Sequence, residues 1–190
     1  MMIIFILFVA SDPSLLVHSE KIIHPVLRGK KYADNDGKGG DGGGNASLKK
    51  ICEATEDAKL CVSTISPLLK RRGGAATVQA VLEAGINASY ELAKVGSAMA
   101  KKLAMGPTGG SGVKDCQGSF DDALYNINQT IEALKSHDVG TMNSMLSAVV
   151  SDMSDCDSSL AGNGSPLTKL GDKLANVTSI CLGIVSQMEG

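Results

Sequence analysis

Five cysteines carry the most chemistry open to this chain: Cys52, Cys61, Cys116, Cys156 and Cys181. Thiolates can bind zinc, act as nucleophiles or pair into disulfides, and their spacing helps separate these uses. No Cys-x-x-Cys occurs, and His137 is the only histidine after the Gly-rich stretch that ends at Ser47. The close ligand pairs of a tetrahedral zinc site are therefore missing. A nucleophilic Ser or Cys needs a base beside it and a third group to orient that base; one histidine and no recognisable motif do not supply such a set. The carboxylates Asp121, Asp122, Glu132, Asp152 and Asp155 lie on the polar sides of helical patterns, where they read as a solvated or partner-facing surface. Asp34-x-Asp36 could open a calcium loop, but Lys38 would stand at its fifth ligand position and Asn45 at its twelfth. The chain therefore reads as lacking catalytic residues, metal and cofactor, which leaves disulfide pairing for the cysteines.

Pairing calls for an oxidising compartment, and the N-terminus points to one. Met1 to Ala10 is an almost unbroken apolar run followed by Asp12-Pro13. It is shorter than the roughly 20 residues a membrane span takes and reads as a signal peptide over 1–19. Val17 and Ser19 stand at the −3 and −1 positions of the cleavage site. No later segment is long and apolar enough to span a membrane. N-glycosylation acceptors at Asn45, Asn87, Asn128, Asn163 and Asn176 agree with export, with Pro166 lowering the expected use of Asn163. A formal charge of −2 gives no electrostatic case for nucleic acid.

The elements that would position these residues are helices. Apolar content is 43% with only 3% aromatic residues and no Trp, so small aliphatic side chains must fill the core. The Gly-rich residues up to Ser47 read as the end of a flexible leader over 20–47. The folded part is placed at 48–190. Lys49–Thr55 and Asp57–Leu69 read as a short helical hairpin. Four longer apolar stripes follow with steps of three and four. The first runs through Leu82, Ile86, Ser89, Leu92 and Gly96; the second through Cys116, Phe120, Ala123, Ile127 and Leu134. The third joins Met142, Leu146, Val149, Met153 and Cys156, and the fourth joins Leu167, Leu170, Leu174, Val177 and Cys181. Asp138 can cap the third helix, and Ser165 followed by Pro166 can open the fourth. Short joints make consecutive helices antiparallel. The expected fold is all-α: an up-down-up-down four-helix bundle preceded by a hairpin and stapled by disulfides.

Cys116 and Cys156 both sit on buried stripes, at nearly equal distances from the turn at His137, so they stand at one height on facing helices and can reach disulfide distance. Cys52 and Cys61 flank the turn of the hairpin in the same way. Cys181, on the last stripe, is left as a buried free thiol.

The pattern resembles the plant invertase/pectin methylesterase inhibitors from Leu48 to Gly190. The resemblance rests on Ile51-Cys52-x-x-Thr55 with Cys61 and Ser66-Pro67-Leu68, on Asp115-Cys116 with Asp121-Asp122-Ala123, on Met145-Leu146-Ser147-Ala148 running to Cys156, and on Val177-Thr178-Ser179. It implies disulfides Cys52–Cys61 and Cys116–Cys156 with Cys181 spare, life in the cell wall space, and inhibition of a carbohydrate-active enzyme. Family members that inhibit invertase carry Pro-Lys-Phe near the last bundle joint. Here that joint reads Asn163-Gly164-Ser165-Pro166-Leu167, and Pro-Lys-Phe is absent from the whole chain. This favours pectin methylesterase as the partner in a 1:1 complex, with invertase as the alternative.

For the contact surface, the expectation is Asp122, Asn126, Gln129, Asn143 and Asp152 on the polar faces of the second and third bundle helices. A different class of function also fits the composition. Met99, Met105, Met142, Met145, Met153 and Met188 could line the cavity of a helical carrier, though methionine more often fills gaps in a core.

Overall fold

The computed structural model describes residues 42–72, 75–107, 109–160 and 165–188. Among them are six α-helices: α1 Gly42–Cys52, α2 Ala58–Arg72, α3 Val78–Ala104, α4 Ser111–Ser136, α5 Val139–Ser159 and α6 Pro166–Val185. A 3-10 turn, Ser186–Met188, follows α6. No strand occurs among the described residues. The signal segment 1–19 and the leader up to residue 41 lie outside them.

The four long helices form the bundle because each has one apolar flank. Leu82, Ile86 and Leu92 of α3, Phe120 and Ile127 of α4, Met142 and Leu146 of α5, and Leu167, Leu174 and Ile184 of α6 are all essentially sealed from solvent. Burying one such side chain stabilises by about 1.5–3 kcal/mol. Helix α3 packs on α4 and α6, and α5 packs on the other sides of the same two, so the four helices close a ring in up-down-up-down order. Where α3 crosses α4, the Phe120 ring lies against the Gly96 backbone, so that any Cβ there would collide with the ring. Between α3 and α6, the hydroxyls of Ser89 and Thr178 lie 3.4 Å apart in the core and satisfy each other.

Local sequence fixes the helix ends. The Thr77 hydroxyl caps α3 by accepting from the Ala80 N–H. The Asp138 carboxylate accepts from the Thr141 N–H at 3.0 Å and opens α5, and the Ser165 hydroxyl accepts from the Leu167 N–H ahead of Pro166 at the first turn of α6. His137 ends α4 in the left-handed conformation with φ 57°. Its N–H donates to the Leu134 carbonyl and the Asp138 N–H donates to Ala133, the paired bonds of a Schellman stop.

The hairpin of α1 and α2 is closed by Cys52–Cys61 and packs on α3 and α6. The Gln187 side chain donates to the Ile51 carbonyl at 2.8 Å and ties the C-terminal turn to α1. One boundary differs from the sequence reading: α1 begins at Gly42, inside the stretch read as flexible leader. Leu48 is the first buried side chain, while Ala46 and Ser47 are exposed. Composition argues against a helix there, since each glycine costs about 1 kcal/mol of helix propensity relative to alanine. Once the turn around Leu48 and Ile51 is anchored in the core, however, each added residue needs only one further hydrogen bond.

Candidate partner-binding face

The α4–α5 hairpin is held at both ends. Near its turn stand the His137 stop and the Asp138 cap. At its open end Cys116 is bonded to Cys156, and the Ser159 hydroxyl lies within hydrogen-bond reach of the Gly112 carbonyl in α4. Closing a loop of this length stabilises the fold by roughly 4 kcal/mol in the chain-entropy model, against roughly 2.7 for the Cys52–Cys61 loop. The outward flank of the hairpin is therefore a rigid surface. Cys181 is free and fully buried, and burial pushes its thiol up to about 12.

Asp122, Asn126 and Gln129 follow one another at helical spacing and share one stripe of α4. Asp122 is exposed, and Asn126 and Gln129 are half-buried along the edge nearer the core. Across the groove the Asn126 amide donates to an Asp152 carboxylate oxygen at 2.9 Å, joining α4 to α5. Burial raises Asp152 above its ordinary carboxylate range. The Asn126 hydrogen bond pulls against that, and the charges of Asp122 and Asp155 add to the rise. On the other flank of α4, Asp121 accepts from the Ser97 hydroxyl of α3 and is engaged within the bundle. Asp138 is pulled below its usual range by the Thr141 hydroxyl and backbone N–H. Among the described residues no three His, Cys, Asp or Glu side chains gather as they would to hold a metal ion.

Asn143 does not join this group. It lies nine positions before Asp152 in the sequence, which at 3.6 residues per turn puts it about 180° round α5. Asp152 faces α4, so Asn143 lies on the flank away from it. The face that the structure assembles is Asp122, Asn126, Gln129 and Asp152. It also includes a residue that the reading of polar positions passed over: Tyr125, three after Asp122 and four before Gln129, and 63% exposed. Its helical spacing from both would have found it.

The glycosylation candidates are spread over the molecule. Asn87 on α3, Asn128 on α4 and Asn176 on α6 are exposed. Asn45 falls within α1, and Asn163 lies outside the described residues. Asn87 and Asn128 donate back to the carbonyls of Glu83 and Leu124.

The methionines read as candidate cavity lining are divided in their placement. Met99, Met142 and Met153 are buried in the core, Met145 and Met188 are half-buried, and Met105 is 76% exposed. A groove of about 180 Å³ between α3 and α4 is open to solvent and lined by Gln79, Glu83, Ile86, Asn87, Ile131, Leu134 and Lys135. None of the six methionines lines it. No described helix is long and apolar enough to cross a membrane.

Comparison with known proteins agrees with the helical fold. The sequence model of the family described as "Plant invertase/pectin methylesterase inhibitor" matches residues 46–184. A pectin methylesterase inhibitor from Arabidopsis, solved as mutant form A, superimposes with a TM-score of 0.61 at 18% identity, covering 74% of this chain and 95% of that one. A pectin methylesterase inhibitor from Arabidopsis thaliana superimposes at 0.56 and 17% identity, covering 75% and 96%. At such identities the likeness is one of fold. Among curated proteins, none matches the chain by sequence.

Proposed function

The chain belongs to the plant invertase/pectin methylesterase inhibitor family, whose members are inhibitors and not enzymes, and on that premise we propose that it is a secreted inhibitor of pectin methylesterase. It lays the outward flank of α4 and α5 over the enzyme's substrate cleft in a reversible 1:1 complex in the cell wall space. The observation that carries this reading is the rigid, disulfide-closed hairpin with a continuous stripe of polar side chains that core packing does not need. The absence of Pro-Lys-Phe from the sequence supports the esterase over invertase as the target.

The test is residual methylesterase activity against inhibitor concentration, run beside an acid invertase control. Replacing Asp122 and Gln129 together with alanine should weaken inhibition tenfold or more. Folding stability should change by no more than about 0.5 kcal/mol per site, as is usual for surface substitutions. Asn143→Ala, on the other flank of α5, should leave inhibition unchanged. Inhibition of the invertase alone would transfer the reading to that enzyme. On export, the protein should begin at Glu20 and carry glycan on at least one of Asn87, Asn128 and Asn176. N-terminal sequencing and a glycosidase mobility shift would check this, and retained Met1 with no shift would count against secretion.

A further inference from the structure

Three aromatic side chains fall among the described residues, and they are treated differently. Phe120 is completely buried and Tyr90 packs partly against the core. Tyr125 stands 63% exposed in the middle of α4. In a chain with 3% aromatic residues, leaving a ring in water forgoes burial that the core could have used. The other large apolar side chains in the open, Met105 and Leu60, lie at helix ends, where the chain turns. Tyr125 is mid-helix, with Asp122 one turn before it, Gln129 one turn after it, and the Asn126–Asp152 bridge alongside. An aromatic residue with a polar tip and few rotatable bonds, ringed by polar groups that help exclude water, is the usual make-up of a binding hot spot.

The charge around it indicates what it meets. From Ser111 to Leu160 the hairpin carries two lysines against seven Asp and one Glu, a net of −6, while the whole chain is −2 and the remainder +4. The acidic character is concentrated on this one hairpin. A pectin methylesterase cleft binds a polymer of sugar rings and releases carboxylates along it, so it must offer flat support for rings and tolerate negative charge. Resting on the inhibitor reading above, we infer that Tyr125 is the anchor of the inhibitory face. It fills a sugar-ring subsite of the esterase cleft, with Asp122 and Asp152 standing where the carboxylates of the de-esterified polymer would lie.

The experiment uses the full secreted protein and a pectin methylesterase that it inhibits. Tyr125→Ala should raise the inhibition constant about 30-fold or more. Tyr125→Phe, which keeps the ring, should stay within about threefold of the parent. Met105→Ala, which removes an even more exposed apolar side chain elsewhere, should change nothing. Thermal unfolding of all three should match the parent. De-esterified oligogalacturonate, added as competitor, should displace the parent from the enzyme. The anchor falls if Tyr125→Ala inhibits as well as the parent, if Tyr125→Phe loses as much as the alanine variant, or if Met105→Ala loses as much. The subsite assignment falls if the oligouronate does not compete. A parent protein that inhibits no methylesterase overturns the inhibitor reading itself, and this inference with it.

Discussion

At the scale of single residues, Asp152 links folding to pH. Its carboxyl is raised in the folded protein, so the fold holds that proton more tightly than the unfolded chain does. The stability linked to it is complete below the unfolded value of 3.8 and is lost as pH rises through the higher folded value. Asp152→Asn removes the charge and keeps an oxygen to accept from Asn126. The variant should match the parent in urea midpoint at pH 3 and exceed it at pH 7. An equal gap at both values would show that the charge is not the cause. Cys181 offers a second test: with its thiol sealed and pushed up to about 12, a disulfide reagent at pH 8 should label it only after denaturant unfolds the bundle. Fast labelling of native protein would mean that the last helix opens locally. At this scale the sequence was least legible. Polarity alone grouped Asn143 with Asp152, though helical phase separates them, and it passed over Tyr125, whose ring is apolar by type and exposed in place.

Elements were far more legible, because burial in a bundle imposes a period that the sequence must carry. All four apolar stripes lie along the flanks that the structure buries, and the caps at Asp138 and Ser165 form the hydrogen bonds that their side chains suggest. What the period does not carry is where a helix continues beyond its buried turns, hence the early start of α1, or where two backbones approach closely. Gly96 shows the second case, since the space for the Phe120 ring is an absence of side chain. Gly96→Ala should destabilise by about 1–3 kcal/mol, the usual cost of forcing extra volume into a packed core, measurable as a lower urea midpoint. His137 shows the opposite economy. It holds a left-handed conformation that suits glycine, so His137→Gly should stabilise by about 0.5–1 kcal/mol, the relieved strain less the extra freedom glycine gives the unfolded chain. A neutral or destabilising result would show that the imidazole contributes something at the turn beyond its backbone geometry.

At the scale of the whole molecule, the separation of charge matters more than its total. A net of −2 suggests weak electrostatics, yet the α4–α5 hairpin holds −6 and the rest of the chain +4, so the acidic excess is concentrated on this hairpin. Individual surface ion pairs add little to stability, and a uniform sign over one face lowers it slightly by self-repulsion. Concentrating acids there is explained more readily by association than by folding. Such a field speeds encounter with a partner of opposite sign and turns the correct face toward it, an effect that salt weakens as the Debye length shrinks. If this hairpin is the side that meets the enzyme, the association rate with a methylesterase whose cleft rim is basic should fall about tenfold between roughly 20 and 200 mM salt, with dissociation little changed. Neutralising Asp122 and Asp155 together to asparagine should flatten that dependence, whereas neutralising Lys169 and Lys173 on α6 should leave its slope almost untouched. Rapid-mixing kinetics over a salt series would measure both. An association rate that ignores salt, or one that answers equally to the α6 lysines, would place the contact on another face of the bundle.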